Sequence, residues 1–342
     1  MLDVALRGLS FTHRNSGFSV EIDSAQFEKS THTAILGAAG SGVSTLLQLI
    51  SGDLRPKSGE IVFGTRAVEK LSRSRRPLLQ VGDALDVPSR WSVEHALIAA
   101  VRRRSLDRVD RQREVELAAE HWSLVDLRER SIASLSTGEQ LRVHLARIEL
   151  LKPALLIADR LHAGASASEV SALGDRIYRL LRSMGTTVIA SPVHLDELRF
   201  ADRAMVMDGG RIVQVGTPAA IYSAPASRNA ASATGPVNAI PVRVAGGMVE
   251  SIIGSWPSDG AFEGNGFALA RPEDFEIARR GEDSDLVFAI EEASFSGGRW
   301  IARGILTGSF LLEVVLPGEE TIHKGRLLPL RYDPRRFTLV PS

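Results

Sequence analysis

Residues Gly37-Ala38-Ala39-Gly40-Ser41-Gly42-Val43-Ser44-Thr45 carry the glycine spacing of a loop that wraps phosphate. The pattern for triphosphates is G-x-x-x-x-G-K-[S/T], and every element is here except the cation, which is Val43. In such a loop backbone N–H groups converge on the anion, and the following helix adds its positive end. Gly37, Gly40 and Gly42 keep that backbone, Ser41 and Thr45 add hydroxyls, and Ser44 can offer oxygen to magnesium. Val43 lacks the ammonium that would sit between the terminal phosphates. A hydrogen bond to a charged group contributes roughly 1.5–3 kcal/mol, so its loss weakens triphosphate binding by tens- to thousands-fold. On the loop alone, a glycine-rich strand-to-helix turn with no ligand is an equal reading.

Other chemistry-bearing residues follow in a fixed order. Ser134-Leu135-Ser136-Thr137-Gly138-Glu139-Gln140 precedes a helix through His144 and Arg147. Leu155-Leu156-Ile157-Ala158-Asp159 is an apolar strand ending in a carboxylate, with Arg160 next. Thr186 to Ile189 leads to His194, and Ala201 to Pro218 closes the series.

The elements that must position these groups read as α/β. Leu2 to Ser10 and Phe18 to Phe27 alternate like antiparallel strands. Thr33 to Leu36 is a short buried strand entering the glycine loop, and Ser44 to Ile50 has helical spacing ended by Gly52. Pro153 to Asp159 and Thr186 to Ala190 are continuous apolar runs, as in buried parallel strands, with an amphipathic helix from Ser168 to Met184 between them. From Pro225 to Pro236 the composition turns to Ala, Ser, Gly, Asn and Pro, which predicts a linker. Beyond it, short β-like runs separated by glycines (Val242–Val244, Phe267–Ala270, Leu286–Ile290, Trp300–Ile305, Phe310–Leu316, Arg326–Leu330) predict a small all-β barrel. The expected domains are 1–228 and 236–342.

Composition bounds the rest. A chain of 342 residues predicts two domains. Basic and acidic residues balance at 41 each, so bulk charge does not point to nucleic acid. The absence of cysteine excludes a disulfide framework and fits a reducing compartment. No apolar run reaches the ~18 residues needed to cross a bilayer, and the start at Met1-Leu2-Asp3-Val4 shows no secretory signal. The basic runs Arg73–Arg76 and Arg102–Arg104 are expected on solvated helical faces.

Taken in order and spacing, these motifs over roughly residues 1 to 225 resemble the nucleotide-binding subunits of ATP-binding cassette (ABC) transporters. The resemblance implies an ABC ATPase fold: a mixed sheet with a Walker A loop and a helical subdomain. It identifies Gly37 to Thr45 with Walker A, with Val43 in the lysine position. Asp159 takes the Walker B aspartate, reaching magnesium through water, and Arg160 the catalytic glutamate. His194 matches the switch histidine, and Ser136, Thr137, Gly138 and Glu139 the signature loop, here L-S-T-G-E. The glutamine-loop position falls on Asp83, with Gln80 inside the preceding strand. Leu161 to Ser166 covers the D-loop, whose aspartate is replaced by Ser166. Phe11 or His13 supplies the adenine platform.

The departures share one direction. General-base help is typically worth 10²–10⁴-fold in rate, and an arginine, with a pKa above about 12, cannot take the proton. The chain's own site is therefore expected to hydrolyse little, although Arg160 could lend its charge to a phosphate. Family subunits pair head to tail, so Ser136 and Gly138 can still meet a γ-phosphate held by a partner. The resemblance implies ATP and Mg2+ as cofactors. It implies as partners a second, intact ABC ATPase subunit, two transmembrane permease subunits docking near Asp83 to Ala100, and indirectly an extracytoplasmic solute-binding protein. The location would be peripheral, at the cytoplasmic face of the membrane. Rival readings are an atypical active ATPase and a non-catalytic regulatory scaffold. In the second half, Ala270-Arg271-Pro272-Glu273-Asp274 and the ending Leu330 to Val340 resemble the C-terminal OB-like (TOBE) barrel of maltose- and polyamine-type importer subunits. That places the protein among importers of sugars, polyols, polyamines or ions, with the cargo set elsewhere.

Overall fold

Alternating apolar residues near the N-terminus form β1 (Val4–Thr12) and β2 (Ser19–Phe27), paired antiparallel with Val4, Leu6, Leu9, Val20, Ile22 and Phe27 buried. The computed structural model describes residues 2–82, 86–102, 104, 106–161, 166–258, 260, 262–278, 284–306 and 310–342. Chain contacts divide it into two units, Met1–Pro218 and Ala219–Ser342.

In the first unit, β3 (His32–Leu36) is buried along its whole length and passes through the glycine loop into α1 (Val43–Ser51). Gly52 ends α1 in the left-handed region (φ 91°), the C-cap that the sequence suggests. β4 (Ser58–Phe63) and β5 (Arg66–Ala67) complete an antiparallel sheet ordered β2-β1-β4-β5. The rest of the unit alternates: β6 (Leu79–Val81), α2 (Val93–Val101), α3 (Arg108–His121), α4 (Thr137–Leu151), β7 (Leu155–Asp159), α5 (Ala167–Ser183), β8 (Thr187–Ser191), β9 (Arg203–Asp208) and β10 (Arg211–Gly216). The second sheet runs β10-β9-β3-β8-β7-β6, parallel except for β10 on β9. The expected mixed-sheet α/β fold is present.

Two apolar cores hold this unit. In one, Leu46, Leu47, Leu49 and Ile50 of α1 fill the space between the two sheets, against Ile61, Ile157, Ile189 and Met205. In the other, α2, α3 and α4 bury Leu97, Ala119, Trp122, Leu145 and Ile148. Each such large side chain contributes about 1.5–3 kcal/mol on burial.

The basic run at Arg73 corrects an expectation. Arg73–Arg75 is a short 3₁₀ turn, but Arg76 is buried, not solvated. Its guanidinium donates to the carbonyls of Leu49 (2.7 Å) and Ile50 (2.6 Å), the last turn of α1. A cation there satisfies orphan carbonyls and complements the helix dipole. Periodicity cannot reveal this, because the partner lies 26 residues upstream.

The second unit opens within α6 (Pro218–Ser223), whose first residue ends the first unit, and continues with α7 (Arg228–Thr234). The strands β11 (Asn238–Ala245), β12 (Met248–Ser251), β13 (Gly254–Pro257), β14 (Gly264–Ala270), β15 (Phe275–Ile277), β16 (Leu286–Ser296), β17 (Arg299–Leu306), β18 (Leu311–Pro317), β19 (Leu327–Tyr332) and β20 (Thr338–Pro341) follow. They form two five-stranded antiparallel sheets, β13-β12-β11-β14-β20 and β15-β19-β16-β17-β18, around one core that includes Ile240, Phe275, Phe288, Val314 and Leu330. This is the expected OB-like all-β architecture.

Within the stretch whose composition suggests a linker lies α7, with Ala230 and Ala231 buried. The physical reason is Arg271. Its guanidinium, itself buried, donates to the carbonyls of Tyr222 (2.9 Å), Ala231 (3.0 Å), Gly235 (3.2 Å) and Pro236 (2.9 Å) and to Thr234 Oγ1 (3.0 Å). It also lies over the Tyr222 ring at 3.9 Å. Its backbone N–H is held by Asp274, which pairs with Arg336 at 3.0 Å.

Arg271→Ala leaves these carbonyls without a donor. The expected loss is about 3–5 kcal/mol for the second unit, read as a lower denaturant midpoint by fluorescence of Trp256 and Trp300. Arg271→Lys recovers little of it, because one ammonium cannot span the fork. An unchanged midpoint in Arg271→Ala would refute the anchoring role.

Candidate functional site

The parallel strands β3, β8 and β7 are neighbours and end at one rim, the place where open α/β sheets receive ligands. A cavity of about 690 Å3 opens there. Gly37 to Thr45 form one wall, His13, Ser16 and Phe18 a second, and Arg160, Ser191 and Pro192 a third.

The glycine loop has the backbone its sequence requires. Gly40 and Gly42 are left-handed (φ 83° and 101°), and a Cβ on Gly37 would stand 2.7 Å from the Met207 carbonyl. Ser41 is buried, and its carbonyl accepts from Gly210 N–H (3.0 Å). Helix α1 has no side-chain cap and no acid in its first turn, so its leading N–H groups are left for a ligand. Thr45 Oγ1 is bound instead to His13 Nε2 at 3.0 Å. Val43 lines the cavity, yet only 9% of it is exposed; its side chain belongs to the core beneath α1.

Asp159 ends β7 half-buried, and Arg160 follows, exposed and lining the cavity. Arg160 is left-handed (φ 56°), a conformation that costs a side chain roughly 1–3 kcal/mol and persists only when surroundings impose it. Its N–H donates to Ser191 O at 3.0 Å, which locks it to the end of β8. Among the described residues its guanidinium has no ion-pair partner.

Several expected site residues lie elsewhere. Phe11 sits in β1 opposite Val20 and is not part of the lining; His13 and Phe18 are. His194 follows β8, outside the lining, in a turn held by Glu197, whose carboxylate accepts from the N–H groups of Val193 (2.8 Å) and His194 (2.9 Å). Gln80 is in β6 beside Ile157, as expected. Asp83, and residues 162–165 of the D-loop, lie outside the described residues.

Ser136 to Glu139, expected to act in trans and not at this cavity, stand at the start of α4 and are not part of the lining. Ser136 is the N-cap: its Oγ accepts from Glu139 N–H (3.3 Å), and its own N–H donates to Glu139 Oε2 (2.8 Å). This reciprocal pair is a capping box, which the S-x-x-E spacing could have revealed but the sequence reading missed. Ser166 and Glu169 repeat it on α5, with the same atoms at 3.3 and 2.9 Å. A Cβ on Gly138 would stand 2.1 Å from Glu169 Oε1, so the two capped helix ends meet, and a larger residue at 138 would displace the Glu169 carboxylate. The Ser136 N–H and hydroxyl hold the Glu139 carboxyl below its ordinary value, helped by Arg130 and Arg142.

Residues 20–161 match the family model "ABC transporter". The chain is 32% identical to the Fe(3+) ions import ATP-binding protein FbpC of Streptomyces avermitilis, over 76% of this chain and 75% of that one. It is 25% identical to the sn-glycerol-3-phosphate import ATP-binding protein UgpC 3 of Agrobacterium fabrum, over 100% and 99%. Among solved structures, cbiO1 from Clostridium perfringens superposes with a TM-score of 0.57 at 24% identity, covering 64% of this chain and 90% of that one, a likeness of fold.

Glu139→Ala removes one arm of the α4 capping box, so the first unit loses about 1 kcal/mol. Because the native carboxyl titrates below its unfolded value, this contribution is full above an unfolded pKa of about 4.3. It is lost as the pH falls through the lower native value. The stability difference between wild type and variant therefore closes on acidification; a gap that widened towards low pH would exclude the capping role.

Proposed function

From the fact that the chain belongs to the ATP-binding subunits of ABC transporters, we propose that it is the catalytically degenerate ATP-binding half of an importer motor. It works peripherally on the cytoplasmic side, beneath two permease subunits fed by an extracytoplasmic solute-binding protein. Its cargo is a sugar, polyol or similar solute. The observation that carries this reading is the cavity itself. The phosphate-wrapping backbone and an uncapped α1 are kept, while Val43 is folded into the core and Arg160 stands beside Asp159. A site so built can bind a nucleotide and has no acceptor for the attacking water's proton at Arg160.

Magnesium fits the donors that remain. The Ser44 hydroxyl and the Asp159 carboxylate are hard oxygens, and magnesium takes one or two protein oxygens together with phosphate oxygens and water. Among the described residues no cluster of three or more His, Cys, Asp or Glu competes as a metal centre. When bound, the ion neutralises phosphate charge; Ser44 and Asp159 orient it.

In this reading an intact second subunit supplies the active site, and Ser136 and Gly138 complete that site in trans. In the same reading the second unit of this chain, an OB-like barrel, is taken as a TOBE domain. Absence of a helix long and apolar enough to cross a membrane among the described residues is compatible with a peripheral place. One observation favours the rival scaffold reading: the signature helix end already holds the Glu139 carboxylate, and Glu169 lies against Gly138. Two carboxylates repel a γ-phosphate, so an engaged contact requires their charge to be met by Arg130, which lies 3.6 Å from Glu139, or by magnesium.

Purified wild-type chain with Mg-ATP is expected to release phosphate at background. Joint Val43→Lys and Arg160→Glu should raise the rate about 100-fold or more. Wild-type turnover equal to that of the double variant would overturn the degenerate reading.

A further inference from the structure

We propose that Arg160 is the phosphate-binding cation of this site, so that the charge missing at Val43 is supplied from the end of β7 in the same cavity. The proposal rests on the reading of the cavity as a nucleotide site and goes beyond it: it names the group that grips the terminal phosphates and the state that results, a triphosphate held without being cleaved.

Arg160 and the glycine loop line one cavity, although they come from strands β7 and β3, two places apart in the sheet and separated by β8. Two strand spacings amount to about 10 Å, so the loop and Arg160 leave the sheet about that far apart on one rim. Arg160 is exposed, and among the described residues its guanidinium is committed to no carboxylate. Among the described residues the cavity lining contains no aspartate or glutamate. The charge that Arg160 brings to the cavity is positive, and the uncapped N-terminus of α1 adds to it.

The backbone at Arg160 is strained in the left-handed region and pinned by the Ser191 carbonyl at 3.0 Å. Glycine or asparagine would adopt this conformation with less strain, yet the position carries a long cation. Strain of this kind collects where a side chain must be aimed. A guanidinium binds phosphate through two parallel N–H donors and stays charged throughout the physiological range. The same property removes it as a proton acceptor. One residue therefore both restores the grip and silences the chemistry.

The test is calorimetric titration of the full chain with Mg-ATP, ADP and AMP. Wild type is expected to bind ATP and ADP more tightly than AMP. Arg160→Ala should weaken ATP binding by roughly 10- to 100-fold and leave AMP binding within about twofold. Adding Val43→Lys to Arg160→Ala should restore ATP affinity by returning a cation from the glycine loop. Arg160→Gly should raise the melting temperature, by releasing the strained backbone, while lowering ATP affinity; a merely structural residue would not move the two in opposite directions. Gly40→Asp is the loop control: its position is left-handed with open space around a Cβ, and Asp tolerates that conformation. If Gly40→Asp abolishes ATP binding but Arg160→Ala does not weaken it, the cavity is a nucleotide site and the role of Arg160 is wrong. If wild type binds neither ATP nor ADP at millimolar concentration, the nucleotide reading falls and the proposal with it.

Discussion

The site depends on one junction: the adjacent carboxyl ends of β3, β8 and β7, tied together by the hydrogen bond from Arg160 N–H to Ser191 O. Parallel pairing delivers the glycine loop, the Ser191-Pro192 turn and Arg160 to one rim. The bond then fixes Arg160 in a conformation that its side chain disfavours. Without that register, the loop and the cation would belong to separate surfaces and no cavity would join them.

Helix ends decide what each part of the first unit can meet. Helix α1 is open at its N-terminus and closed at its C-terminus, where Arg76 takes the last carbonyls. Its dipole is thereby reinforced and aimed at the loop. Helices α4 and α5 are the reverse: Ser136 with Glu139, and Ser166 with Glu169, satisfy their own leading N–H groups. An open end welcomes an anion, whereas an end already holding a carboxylate discourages one. That contrast leaves the start of α1 as a helix end open to an anion and the starts of α4 and α5 as ends already filled.

The second unit uses a buried guanidinium for a different purpose. Arg271 gathers the carbonyls of Tyr222, Ala231, Gly235 and Pro236, so that α6 and α7 become part of the barrel. Arg76, Arg160 and Arg271 thus show three fates of one side chain. Arg76 ends a helix, Arg271 binds a segment to a sheet, and Arg160 remains exposed at a cavity. Their environments separate them, since the side chain is the same in each case.

Much of this was legible in the chain. The continuous apolar runs gave β3, β7 and β8, the 3.6-residue spacing gave α1 and α5, and the short glycine-bounded runs gave the all-β second half, because local periodicity reports which face is buried. The loop motif with its missing lysine, and Arg160 after Asp159, were also plain, since they depend on residue type and order. What the chain could not disclose were the contacts closed over long separations: Arg76 on α1, Arg271 on a stretch that reads as a linker, His13 rather than Phe11 at the cavity, and the Arg160–Ser191 bond. The sequence determined which elements form and which chemical groups exist. Tertiary structure alone decided which of those groups share a cavity, because strand order and register, not proximity along the chain, set the distances between them.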